Sequence, residues 1–146
     1  MGRVQNKACV VTGAGSGIGK ATALRLAEEG GKVVVSDINL DSAKKVTEEI
    51  NSAGGIAVSV AADVSDDKQA QNLIDVCVKE FGTVHVVVNS AGVNIPGVFH
   101  EVKNEIIDKI LNNSPEGYVS EPSINHAMER VFGSIVYLEN QSIIIP

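Results

Sequence analysis

Residues 7–19 read Lys-Ala-Cys-Val-Val-Thr-Gly-Ala-Gly-Ser-Gly-Ile-Gly. The apolar run Ala8 to Val11 passes directly into glycines at 13, 15, 17 and 19, and the pattern Ala21, Ala23, Leu24, Leu26, Ala27 follows. That order predicts a buried strand, a tight turn and the first turn of a helix. Glycine serves where the backbone needs φ > 0 or must approach another group without a Cβ in the way. A helix N-terminus aimed at such a turn presents free N–H groups and the positive end of its dipole, which suits a phosphate.

Outward from this stretch, strand and helix signals alternate. The first helix is expected from about Ile18 to Glu29, stopped by Gly30-Gly31. Lys32 to Ser36 is a β-branched run ending at Asp37, read as a second buried strand. Asp41 or Ser42 is the expected cap of a helix to about Ser52, with Ala43, Val46 and Ile50 on its apolar face. Ile56 to Ala61 reads as a third strand running into Asp63-Val64. Ser65 is the expected cap of a helix to Phe81, with Ile74, Val76 and Val78 among its buried residues, and Gly82 stops it. Thr83 to Val88 reads as a fourth strand leading into Asn89-Ser90-Ala91-Gly92.

Strands alternating with helices imply crossover connections and a parallel sheet, and continuous apolar runs imply strands covered on both faces. The expected fold is α/β: a Rossmann-like, doubly wound parallel sheet of about five strands in the order 3-2-1-4-5, incomplete on its carboxyl-terminal side. Ligands of such sheets sit beyond the carboxyl ends of the strands. The glycine turn, Asp37, Asp63 and Asn89 each follow a strand's carboxyl end, so all four belong to one edge. After Gly92 the pattern weakens. Val93 to Val102 reads as a loop, Asn104 to Leu111 and Ser123 to Val131 as helical pieces, and Ser134 to Leu138 as a fifth strand before an apolar tail at Ile143 to Ile145. Pro115 and Pro122 break any continuous helix between them.

Composition narrows the function classes. The 146 residues are read as a single domain, with 44% apolar and 21% charged residues, an ordinary globular balance. A net charge of −6 argues against nucleic-acid and anionic-membrane partners. No apolar stretch approaches a membrane span, and the first strand begins too early to leave room for a signal peptide, so a cytoplasmic location is expected. Cys9 and Cys77 have no metal-site spacing and are expected to be reduced core residues; no metal ligands are assigned.

The glycine spacing excludes several phosphate sites. In a P-loop, Lys20 would require glycine at Ala14 and a hydroxyl at Ala21. The common Gly-x-Gly-x-x-Gly spacing would require glycine at Ile18. A methyltransferase-type loop wants an acidic residue where Val11 and Thr12 stand. What remains is Thr12-Gly13-x-x-x-Gly17-Ile18-Gly19.

This pattern resembles the short-chain dehydrogenases/reductases, in which the motif binds the pyrophosphate of a dinucleotide. Asp63-Val64 is similar to that family's adenine-contacting pair, and Asn89-Ser90-Ala91-Gly92 to its Asn-Asn-Ala-Gly motif, with Ser90 for the second Asn. The likeness is strongest in residues 1–92, and residues 93–146 are degenerate. It implies an NAD-binding chain with cofactor residues Thr12, Gly13, Ser16, Gly17, Ile18, Gly19, Asp37, Ile38, Asp63, Val64, Asn89, Ala91 and Gly92. A carboxylate at Asp37 can accept both ribose hydroxyls and would repel a 2′-phosphate, and the turn offers no Lys or Arg at Ala14 or Ser16. NAD(H) is therefore expected over NADP(H).

The family's proton transfer uses a Tyr-x-x-x-Lys pair, helped by Ser and Asn. Four positions after Tyr118 is Pro122, and four after Tyr137 is Gln141. No catalytic residue is assigned: His85, within the fourth strand, reads as a sheet residue, and His100 and His126 as surface residues. Two functions remain, the cofactor-binding portion of an alcohol or ketone oxidoreductase, truncated and without turnover, or a non-catalytic nucleotide-binding or partner-regulating module. An uncovered fifth strand would favour self-association.

Overall fold

The computed structural model describes residues 2–92 and two short strands, Val136–Leu138 and Gln141–Ile143. The expected loop, helical pieces and prolines between 93 and 135 lie outside the described residues, as do Tyr118, His100 and His126. In chain order the elements are β1 (Ala8–Val11), α1 (Gly17–Glu28), β2 (Lys32–Asp37), α2 (Leu40–Ser52), β3 (Ile56–Ala61), α3 (Asp67–Phe81), β4 (Val86–Val88), β5 (Val136–Leu138) and β6 (Gln141–Ile143).

β1 lies at the centre of a parallel sheet. It pairs with β2 from Ala8↔Lys32 to Val11↔Val35 and with β4 from Cys9↔Val86 to Val11↔Val88. β3 pairs with β2 through Asp37↔Ala61. The order 3-2-1-4 is thus as expected, and the carboxyl ends of the four strands lie side by side. The fifth strand takes a different place. β6, not β5, lies beside β4, antiparallel through Val88↔Ile143, and β5 pairs outside it. The reason is local. Only two residues separate Leu138 from its partner Gln141, a spacing that makes a hairpin and therefore an antiparallel pair. Part of the expected tail is a strand.

Alternation along the strands divides the core between two faces. Ala8, Val10, Val34 and Val87 face α3, where they meet Ala70, Leu73, Ile74 and Cys77. Cys9, Val11, Val33, Val35 and Val88 face the other way, against Ala23, Ala43, Val46 and Ile50 of α1 and α2. Side chains such as Leu73 and Ile74, almost fully buried, each contribute about 1.5–3 kcal/mol.

Helix ends depart from expectation in detail. α2 is capped by Asn39, whose Oδ1 accepts the Ser42 N–H at 3.1 Å, rather than by Asp41 or Ser42. α3 is capped by Asp66, not Ser65: its Oδ1 accepts from Gln69 and Lys68, and these N–H groups hold its carboxyl below the usual range. With α3 starting at Asp67, the core stripe falls on Ala70, Leu73, Ile74 and Cys77, which leaves Val76 half-buried and Val78 exposed. β4 is shorter than predicted. His85 lies just before it, yet holds β1: its Nδ1 accepts the Ala8 N–H at 2.9 Å, and its own N–H donates to Ala8 O at 2.8 Å.

The two thiols, both fully buried, sit on opposite faces of the sheet. Burial pushes Cys9 up to about 11 and Cys77 up to about 12, the latter helped by the neighbouring Cys9 charge. An unfolded thiol ionises near about 8.5. Between that value and the folded ones the unfolded chain binds fewer protons, so stability falls as pH rises. Urea unfolding at pH 7 and pH 10.5 should show that loss. In Cys77→Ala the difference between the two pH values should shrink by about 2 kcal/mol.

Candidate functional site

The carboxyl edge of β1–β4 carries the four polar segments. The rungs continue past the strands, with Thr12 N–H donating to Val88 O (3.0 Å), Ala14 N–H to Ser36 O (2.8 Å) and Ala62 N–H to Asp37 O (3.1 Å). Each segment is therefore fixed to its neighbour before any side chain is considered.

Thr12 is buried, and its Oγ1 accepts the N–H groups of Ser90 and Ala91, both at 3.1 Å. Gly13, at φ +61°, presses against the same backbone: a Cβ there would stand 2.8 Å from Ala91 Cα. The first and fourth segments are thus one unit. Thr12 acts on the shape of the site through Ser90 and Ala91.

The helix N-terminus at this turn differs from the other two among the described residues. Ser16 is the N-cap of α1 but makes no side-chain cap bond, and the first turn has no acidic residue. α2 and α3 have both. Gly17, at φ +55°, opens outward, with nothing within 4 Å of where a Cβ would be. Gly19 does the reverse: a Cβ there would meet Gly13 O at 2.2 Å, so its absence lets α1 pack onto the turn. The result is a helix N-terminus without a side-chain cap, at the positive end of a helix dipole and with free space beside Gly17.

Asp37 stands at the end of β2. Its Oδ2 accepts the Gly15 N–H at 2.9 Å and its Oδ1 the Asn39 N–H at 3.0 Å. Each carboxylate oxygen retains a further acceptor position. Asp63 is organised locally, its Oδ1 accepting from Ser65 N–H (3.0 Å) and Ser65 Oγ–H (2.6 Å). Val64 packs against the core face that holds Leu73 and Ile74. Ile18 and Ile38 are exposed at 67% and 73%, large apolar surfaces on the polar edge. Asn89 is buried and Gly92 exposed. Of the residues read from sequence, Thr12, Gly13 and Ala91 are brought into direct contact. Gly15, Asn39 and Ser42 were not assigned. The one visible signal for Gly15 is that it is the second of four glycines, the one outside the Gly13, Gly17, Gly19 pattern.

The short chain dehydrogenase family profile matches residues 7–140. The chain belongs to the short-chain dehydrogenase family. Members use NAD(P) dinucleotides. Cyclohexanol dehydrogenase of Acinetobacter sp. (strain SE19) is 45% identical over 91 residues, 62% of this chain and 36% of that protein. The 2,5-dichloro-2,5-cyclohexadiene-1,4-diol dehydrogenase LinX of Sphingobium indicum is 41% identical over 109 residues, 75% of this chain and 44% of that one. The crystal structure of a short chain dehydrogenase from Mycobacterium avium superposes with a TM-score of 0.82 at 35% identity, covering 90% of this chain and 47% of that one. This family member therefore spans about a third to a half of the length of these relatives. No helix among the described residues is long and apolar enough to cross a membrane.

The Thr12 clamp gives a direct test. Thr12→Val keeps the shape but removes the acceptor for two N–H groups, and should cost about 1–3 kcal/mol in urea unfolding. Thr12→Ser keeps the acceptor and should lose less than half as much.

Proposed function

We propose that this chain binds NAD(H) at the carboxyl edge of β1–β4 and, as a 146-residue chain, does not turn over alcohols or ketones. The observation that carries the reading is the uncapped, acid-free N-terminus of α1 opening at Gly17 beside a carboxylate steered at the end of β2. The N–H groups of Ser16, Gly17 and Ile18 at the start of α1 would hold a pyrophosphate, since those of Ala14 and Gly15 are taken by Ser36 O and Asp37 Oδ2. Asp37 would accept the ribose hydroxyls, with Ile38, Asp63 and Val64 toward the adenine. Thr12, Asn89, Ala91 and Gly92 would shape the side of the fourth strand.

A bound nicotinamide supplies a hydride donor or acceptor. The alcohol or ketone also needs a proton exchanged at its oxygen, and Tyr118 and Tyr137 are followed four positions later by Pro122 and Gln141. Related cyclohexanol and cyclohexadiene-diol dehydrogenases favour cyclic alcohols as the substrate class of a complete enzyme.

Titration followed by NADH fluorescence should give tighter binding for NADH than for NADPH, with no NADH oxidation by cyclohexanone. Tighter NADPH binding overturns the cofactor choice, and sustained turnover overturns the account of the missing proton donor.

A second reading is a binding module that pairs with another copy. It is favoured by β5, which among the described residues pairs with β6 alone and lies at the edge of the sheet. Such edges recruit strands. Size-exclusion chromatography should then show mass rising with concentration, whereas a sharply melting monomer at every concentration rejects pairing.

A further inference from the structure

We infer that Gly15, the glycine of the turn that the family-like motif leaves free, sets the preference for NAD(H) by allowing the Asp37 carboxylate to seat against the turn. The inference rests on the NAD(H) reading above and concerns what positions its ribose acceptor.

The seat is made by two backbone donors. Gly15 N–H holds Oδ2 at 2.9 Å and Asn39 N–H holds Oδ1 at 3.0 Å, so the carboxylate has one orientation and keeps its remaining lone pairs for a diol. There is no room beside it. A Cβ on Gly15 would stand 2.8 Å from Asp37 Oδ2, 2.9 Å from Asp37 Cγ and 2.7 Å from Ser42 Cβ. Real Cβ atoms essentially never come so close, so something must move. Ser42 Cβ is one bond from the backbone of α2, in its first turn, and moves only with the helix. The Asp37 carboxylate swings about two single bonds. It is therefore the group that yields.

Backbone strain does not confuse the case. Gly13 and Gly17 have φ of +61° and +55°, whereas Gly15 is not among the residues with positive φ. An alanine at 15 fits the backbone and acts through its Cβ alone. Displacing the carboxylate removes a charged acceptor from the ribose diol and weakens the repulsion of a 2′-phosphate. NADH affinity should fall and NADPH affinity hold or rise. Gly15 is in this sense a positioning residue, acting through Asp37.

The test compares NADH and NADPH dissociation constants for the wild type, Gly15→Ala, Asp37→Ala and the double variant Gly15→Ala/Ser42→Gly, with thermal melts of each without cofactor. Gly15→Ala is expected to melt as a folded protein and to lose about tenfold or more of the NADH preference, the scale of one hydrogen bond to a charged group. Its ratio should approach that of Asp37→Ala. Ser42→Gly vacates one of the two clashing positions and should restore part of the preference.

A folded Gly15→Ala that keeps the wild-type ratio, where Asp37→Ala loses it, overturns the inference alone. A wild type without NADH preference overturns the NAD(H) reading and the inference with it. Should Gly15→Ala not fold, the double variant decides. Recovered folding with NADH preference supports the squeeze between Ser42 and Asp37, and failure to recover places the clash elsewhere and rejects the proposal.

Discussion

The hydroxyl oxygen of Thr12 joins two segments that lie 78 and 79 residues apart in sequence, by accepting the N–H groups of Ser90 and Ala91. Much else follows from that bond. β1 is the central strand, with β2 on one side and β4 on the other, and its two faces supply both halves of the core. Where it ends, the backbone must turn into α1 without lifting from the sheet. Gly13 permits this because it brings no Cβ against Ala91. The loop after β4 is thereby held by the turn after β1, and the turn by the loop. A parallel sheet makes such a long-range pairing natural, since each strand enters from the same end and each polar loop leaves at the other.

The three helices show where local stability was satisfied and where it was not. α2 and α3 each carry a capping side chain and an acidic residue in the first turn, worth about 1 kcal/mol for a cap alone. α1 has neither, yet it is the helix whose N-terminus meets the glycine turn. Its hold on the domain comes instead from Ala23 in the core, with Leu24, Leu26 and Ala27 packed against it, and from the close approach of Gly19 to Gly13 O. Natural sequences break local rules mainly at functional positions and compensate nearby. The open end of α1 fits that pattern: its first donors carry no side-chain cap, and packing supplies the stability that a cap would have given.

How much of this was legible depends on the length scale of each signal. Apolar runs such as Val33–Val35, and helix stops such as Gly82, act within a few residues, and they place β1 to β3 and the three helices closely. Caps were harder, because runs like Ile38-Asn39-Leu40-Asp41-Ser42 and Ser65-Asp66-Asp67 hold several capping residues in a row, and only geometry selects Asn39 and Asp66. Within α3 the helical period of about 3.6 residues keeps Cys77 in the core, as expected, and turns Val78 out to 42% exposure. Gly15 was visible as a glycine, but its reason is Ser42 and Asp37, both far along the chain. The strand beside β4 was misplaced for a similar cause. A β-branched run announces a strand without naming its neighbour, and the short gap after Leu138 turned the next segment inward.

In the proposed function, binding and proton transfer are separable for a geometric reason. Every residue assigned to the dinucleotide lies from Thr12 to Gly92, at the carboxyl ends of β1 to β4, in the loops that follow them or in the first turn of α1. A tyrosine and lysine four residues apart cooperate only on a helix, where that spacing puts them on one face. Tyr137 is in β5, and the residue four positions on, Gln141, is in β6. Their register pairs Tyr137 with Ser142 and Leu138 with Gln141 across a hairpin. At Tyr137, then, the spacing that defines the family's catalytic pair has no helical face to act on, whatever residue stands at 141. The edge proposed to hold a dinucleotide and a helix that would exchange its substrate's proton are distinct constructions, and the described residues include the first.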